Sequence, residues 1–179
     1  MTPIFNENKA INALLYVAER LKMNDFHKIF KVLYFADMNH LSKYARPITG
    51  DTYIAMDFGA VPTKLYDMLK SAKLSCQSLY STLFEVEGEY HVKPIAQANM
   101  DYLSPTDIAE LDKSISEYGN LNWKETVEKA HRHAWSHTQR NQPISIENML
   151  EETNCSKEYI EYVKSDISMQ KSILNATAC

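Results

Sequence analysis

The chain has 179 residues, 45% of them hydrophobic and 23% charged, with a formal net charge of -4. This size and balance describe one globular domain with a real core and exclude a disordered or collagen-like chain. The acidic balance gives no electrostatic footprint for nucleic acid. The charge is unevenly spread: residues 22–46 carry five basic and two acidic groups, and residues 145–168 carry six acidic and two basic ones. Cys76, Cys155 and Cys179 are odd in number and far apart, so neither a zinc cage nor a disulfide framework is expected. The N-terminus lacks an apolar signal core and the longest apolar run, Ala13–Ala18, is too short for a bilayer. A cytoplasmic protein with no membrane association and no cofactor is the expectation.

In chain order, the apolar stripe of Ile11, Leu14, Leu15, Ala18 and Leu21 predicts an amphipathic helix over residues 8–22. A second helix starts after Asp25, an N-cap, and ends near Ala45, because Pro47 biases Arg46 away from helical dihedrals. Its apolar residues, from Phe26 to Leu41, point in nearly every direction, so it is predicted to be a central buried helix. Residues 52–56 read as a strand, residues 58–62 as a turn, and residues 62–71 as a helix with Pro62 in its first turn.

Residues 82–93 alternate as a hairpin should. A three-residue loop over 87–89 pairs Val86 with Tyr90 and Phe84 with Val92, keeping apolar groups together. Ser104 caps a fourth helix with Pro105 at its first position, a stripe of Ile108, Leu111, Ile115 and Tyr118, and Gly119 as its stop. Asn122 and Glu125 form a capping-box pattern for a fifth, with Trp123, Val127, Ala130 and Ala134 as its stripe. Ser145 and Ser156 cap two more helices. The expected fold is mainly α with some β (α+β): a helical bundle around the buried second helix, with a small antiparallel sheet or hairpin. Gln139–Pro143 is the nearest thing to a boundary, so residues 1–140 are expected to form the domain and residues 141–179 a helical extension packed on it.

Few residues offer chemistry. His133 and His137 are spaced i, i+4, and with His131 would suit a metal-dependent hydrolase, but the HExxH pattern is absent and a third ligand must come from elsewhere. Asp37 and His40 lie one turn apart as a base and its orienter, without an evident nucleophile. There is no phosphate-binding glycine loop. A helix-turn-helix is conceivable in such a chain, but no basic recognition helix stands out.

The segment Lys31-Val-Leu-Tyr-Phe-Ala-Asp37, then His40-Leu41 and Tyr44-x-Arg46-Pro47-Ile48, resembles the Panacea domain, or SocA-like antitoxin domain, a phage-associated family. The likeness continues through Gly50-Asp51, Tyr53-Ile-Ala-Met56, Phe58-Gly59-x-Val61-Pro62 and Tyr66-Asp67. It resumes at Leu111, Tyr118-Gly119, Leu121 and His131-x-x-Ala134-Trp135, covering about residues 8–140. Phe58 stands where Tyr is common in the family, and Ala60 where Pro is common. The resemblance implies an antitoxin that is not an enzyme and neutralises a cognate protein toxin by direct binding. One relative delivers its toxin to a protease as an adaptor. Antitoxins often repress their own operons, so a DNA-binding autorepressor is the further alternative. The resemblance carries no catalytic residues. The residues expected to form a partner-binding patch are Tyr34, Tyr44, Tyr53, Tyr66, His131 and Trp135.

Overall fold

The computed structural model describes residues 3–177. Among them the order is α1 (Glu7–Arg20), α2 (Phe26–Tyr44), β1 (Tyr53–Met56), β2 (Gly59–Pro62), α3 (Thr63–Leu74), β3 (Phe84–Glu87), β4 (His91–Pro94), α4 (Pro105–Tyr118), α5 (Trp123–Ala130), α6 (His133–Ser136), α7 (Ile146–Glu152) and α8 (Lys157–Thr177). Short 3₁₀ turns at Leu79–Thr82 and Met100–Tyr102 flank the β3–β4 hairpin. The fold is mainly α with two small antiparallel hairpins.

α2 is the axis. Its apolar side chains are buried all round and serve two cores. Ile29, Phe30, Val32 and Leu33 pack with α1, α3, the β3–β4 hairpin and α4. Tyr34, Phe35, Met38 and Leu41 pack with β1, α7 and α8 through Ile146, Leu150, Ile160 and Val163. α1 is buried further round than its amphipathic stripe predicts: every residue from Ala10 to Ala18 is buried. Its small residues, Ala10, Ala13 and Ala18, let it be covered on nearly all sides.

The caps fall where the sequence puts them. Asp25 accepts from the Lys28 amide at 2.8 Å, and Ser104–Asp107 and Asn122–Glu125 both form reciprocal capping boxes. Other features depart from expectation. Residues 59–62 are a strand, not only a turn, pairing with β1 in the register Tyr53↔Pro62 to Met56↔Gly59. Its Gly and Pro hide it from a propensity reading.

The β3–β4 register is also shifted: Val86 faces Val92, Phe84 faces Pro94, and the loop is 88–90. The apolar face survives because the pairing moves by two residues, and side chains alternate with a period of two. It is fixed by α2, since the Phe26 amide donates to the Tyr90 carbonyl at 2.9 Å and the Val92 amide to the Asn24 carbonyl at 2.6 Å. The two hairpins form separate two-stranded sheets.

The predicted fifth helix breaks at His131, whose backbone (φ -97°, ψ 40°) is not helical, and α6 starts anew with its Ala134 amide donating to the Glu152 carboxylate at 2.8 Å. The Gln139–Pro143 stretch, read from sequence as the nearest boundary, leads into residues 141–144 that lie along the free side of β1. The Asn141 and Ile144 amides donate to Ala55 and Tyr53 carbonyls, both at 2.8 Å.

Candidate functional site: an aromatic cleft at the start of the central helix

A buried carboxylate sets the scaffold. Asp37, on α2, accepts from the Ile48 amide at 2.7 Å, the Thr49 amide at 2.9 Å, the Thr49 hydroxyl, and the Tyr53 hydroxyl at 2.8 Å. Burial raises its pKa, and these donors oppose the rise. Asp51 then accepts from the Lys64 and Leu65 amides at 3.0 and 2.9 Å, so one loop ties α2, β1 and α3 together. Gly50 lies between them at φ +68°, where a Cβ would stand 1.9 Å from the Ile4 carbonyl oxygen. The β1–β2 hairpin, whose turn is Asp57–Phe58, is therefore anchored at its base.

That turn carries Phe58 to the rim of a cleft of about 480 Å³. Phe26 and Phe30, one helical turn apart on α2, form its floor, and Tyr66 of α3 meets both rings edge-on at 6.1 Å. Tyr90, from the β3–β4 loop, meets Phe26 at 5.7 Å. Trp123, the first residue of α5, meets Phe58 at 5.0 Å and His27 at 5.7 Å. The three rim rings are largely in solvent: Phe58 is 54%, Trp123 53% and Tyr90 56% exposed. An apolar concavity ringed by exposed aromatics is the arrangement of a binding site, because its surface gains most from being covered.

The cleft contains an unusual cation. Lys31, one turn beyond His27, is buried, and its Nζ donates to the Ala60 carbonyl at 2.8 Å. Among the described residues no carboxylate lies within ion-pair distance of it. Burial lowers its pKa to about 7, with Asp25 opposing. Gly59 makes room for this side chain: at φ +103°, its absent Cβ would lie 2.6 Å from Lys31 Cε. The His27 ring is pushed down to about 4, by burial first and Lys31 next. Lys28, the neighbouring buried lysine, is fully engaged. It donates to the Tyr118 and Leu121 carbonyls and to the Thr126 hydroxyl, closing the C-terminal end of α4.

The family model described as "Antitoxin SocA-like, Panacea domain" matches residues 29–136. The chain belongs to this family. No curated protein matches, and no solved structure does. Membership carries an antitoxin role in general and a protein toxin as the general kind of partner. The matched Panacea segment holds Phe30, Lys31, Phe58, Tyr66, Tyr90 and Trp123, so most of the cleft lies inside it.

Of the residues expected to form the partner patch, the Panacea fold brings only Tyr66 to the cleft. Tyr34 and Tyr53 are 1% and 3% exposed, packed ring to ring at 5.1 Å, so they belong to the core and not to any surface patch. Tyr44 is exposed but lies at the far end of α2, about 27 Å from Phe26 at 1.5 Å per residue.

His131 and Trp135 stack at 3.7 Å, and the Trp135 indole donates to the Met56 carbonyl at 2.8 Å, bracing the β1–β2 turn from behind. His131 Nε2 is buried and has no hydrogen-bond partner among the described residues. His133 and His137 stack on each other at 3.9 Å, and His133 reaches Glu151 at 2.9 Å. No cluster of three potential metal ligands occurs among the described residues, so the three histidines do not converge. His40 turns from Asp37 to the Arg46 carbonyl at 2.6 Å and to Asp107 at 3.1 Å.

Sequence reasoning missed Phe58, Trp123, Tyr90 and His27. Trp123 and Phe58 did leave a signal: one follows an N-cap directly, and the other sits at a turn tip, positions that helices and turns leave outside the core.

Proposed function

We propose that this chain is the antitoxin of a toxin–antitoxin pair and neutralises its toxin by direct binding, with the aromatic cleft as the contact surface. The observation that carries the reading is the ring of Phe58, Trp123 and Tyr90, exposed around an apolar floor within the family's own segment. Tyr and Trp are the side chains that most often anchor protein interfaces, each contributing about 2 kcal/mol or more when buried by a partner. The rim needs little ordering on binding, because the Asp37 and Asp51 bonds already hold the loop and helix that carry Phe58 and Tyr66.

The reading places the protein in the cytoplasm beside its toxin. No helix among the described residues is long and apolar enough to cross a membrane. The test is co-expression with the product of the adjacent reading frame. The wild-type chain should restore growth, and Phe58→Ala/Trp123→Ala should not, although it folds. Rescue by the double variant at wild-type level contradicts the assigned surface. A toxin half-life shortened by the antitoxin would add protease delivery to simple blocking.

A further inference from the structure

We propose that the cleft recognises a carboxylate carried beside an apolar group on the toxin, and that Lys31 is the residue that pairs with it. This rests on the antitoxin reading for its occupant. Charge complementarity selects that partner group.

A buried ammonium is costly unless it is paired, and in the free protein Lys31 has one neutral acceptor, the Ala60 carbonyl. An ammonium has three donors, so hydrogen-bonding capacity remains on the group. The other charges around the cleft are already committed. Asp25 caps α2, Asp57 pairs with Arg140, and Lys28 is enclosed by three oxygens. Lys31 is thus the cleft's one uncommitted charge among the described residues, and it is positive.

The walls select the rest of the ligand. Phe26, Phe30 and Tyr66 offer apolar faces to a side chain of similar size. A single negative charge matches a single ammonium. A phosphate would bring more charge than Lys31 offers, into a site without an arginine fork. The anchor expected on the toxin is therefore a Glu or Asp, or a chain-terminal carboxylate, flanked by an aromatic or aliphatic residue.

The full chain can be titrated with 3-phenylpropionate, its neutral isostere 3-phenylpropionamide, and phenyl phosphate, following amide chemical shifts of the cleft residues. The wild-type chain should prefer the propionate to the amide by about tenfold, as a charge-assisted bond in an apolar site would give. Lys31→Met should bind the two alike while remaining folded, and should lose toxin neutralisation with that preference. Phe58→Ala should weaken both probes equally, because it removes wall and leaves the charge. Equal binding of propionate and amide by the wild type, or tighter binding of phenyl phosphate, overturns the carboxylate site. A chain that neutralises its toxin without any propionate preference refutes this inference alone. A chain that neutralises no adjacent toxin refutes the antitoxin reading beneath it.

Discussion

Lys31→Met tests whether the buried ammonium is a cost that the free protein carries. Lys31 titrates near 7 in the fold and near 10.5 in the unfolded chain. Between those values the unfolded chain binds the extra proton, so stability must rise with pH across that window and level off above it. Linkage with these two values gives a gain of about 3 kcal/mol between pH 7 and pH 10 from this group alone. Methionine keeps the length and apolar stem and removes the charge. At pH 7 it should relieve about 4 kcal/mol of that cost and lose about 1 kcal/mol because the Ala60 carbonyl is left without its donor. A net stabilisation of about 2–3 kcal/mol is expected, where most core substitutions destabilise. Urea unfolding followed by tryptophan fluorescence at several pH values between 7 and 10 measures both effects. Lys28 is also lowered by burial and contributes in the same sense to both proteins, so the difference between the two curves isolates Lys31. A variant whose stability rises with pH as steeply as the wild type's, or one less stable at pH 7, would refute the placement of a lone ammonium there.

Other perturbations report on the scaffold. Asp37→Ala strips acceptors from two amides and two hydroxyls and should cost about 4 kcal/mol or more by chemical denaturation, whereas Tyr53→Phe, removing one donor, should cost about 1 kcal/mol. Gly50→Ala must displace the Ile4 backbone as well as strain its own, and should lose about 3 kcal/mol; Gly88→Ala, with a similar φ of +61° but open space around it, should lose only about 1 kcal/mol in the same assay. His27 titrates at about 4 in the fold against 6.5 unfolded, so the unfolded chain binds more protons between them and stability should fall as pH drops through that range. His27→Gln should flatten that part of the profile, measured by thermal melting.

The sequence was most readable where one residue type has one local job. Asp25, Ser104 and Asn122 cap helices because their short side chains reach an amide two or three residues on, and the fold keeps all three. The all-round apolar surface of α2 likewise admits only burial. The cleft was harder to see. Tyr34, Tyr44, Tyr53 and Tyr66 look alike in a sequence, and what separates core from surface is tertiary: Tyr53 is drawn inside by Asp37, sixteen positions away. Lys31 reads as a solvated helical residue, and only the chain crossing over it at Gly59 and Ala60 buries it. The β3–β4 register was set by main-chain bonds from Phe26 and to Asn24, which no pattern within residues 82–93 encodes. β2 was obscured by its own Gly59 and Pro62, which local propensity counts against a strand.

The exposed aromatic rim is proposed to hold the toxin. Isothermal titration of the adjacent gene's product into the wild-type chain and into Phe58→Ala/Trp123→Ala tests it most directly. Both proteins should show the same melting temperature within a degree or two, because the two rings are more than half exposed. The double variant should bind about a hundredfold more weakly or worse, as expected when two interface anchors are lost. Equal affinity for the two proteins would contradict the account.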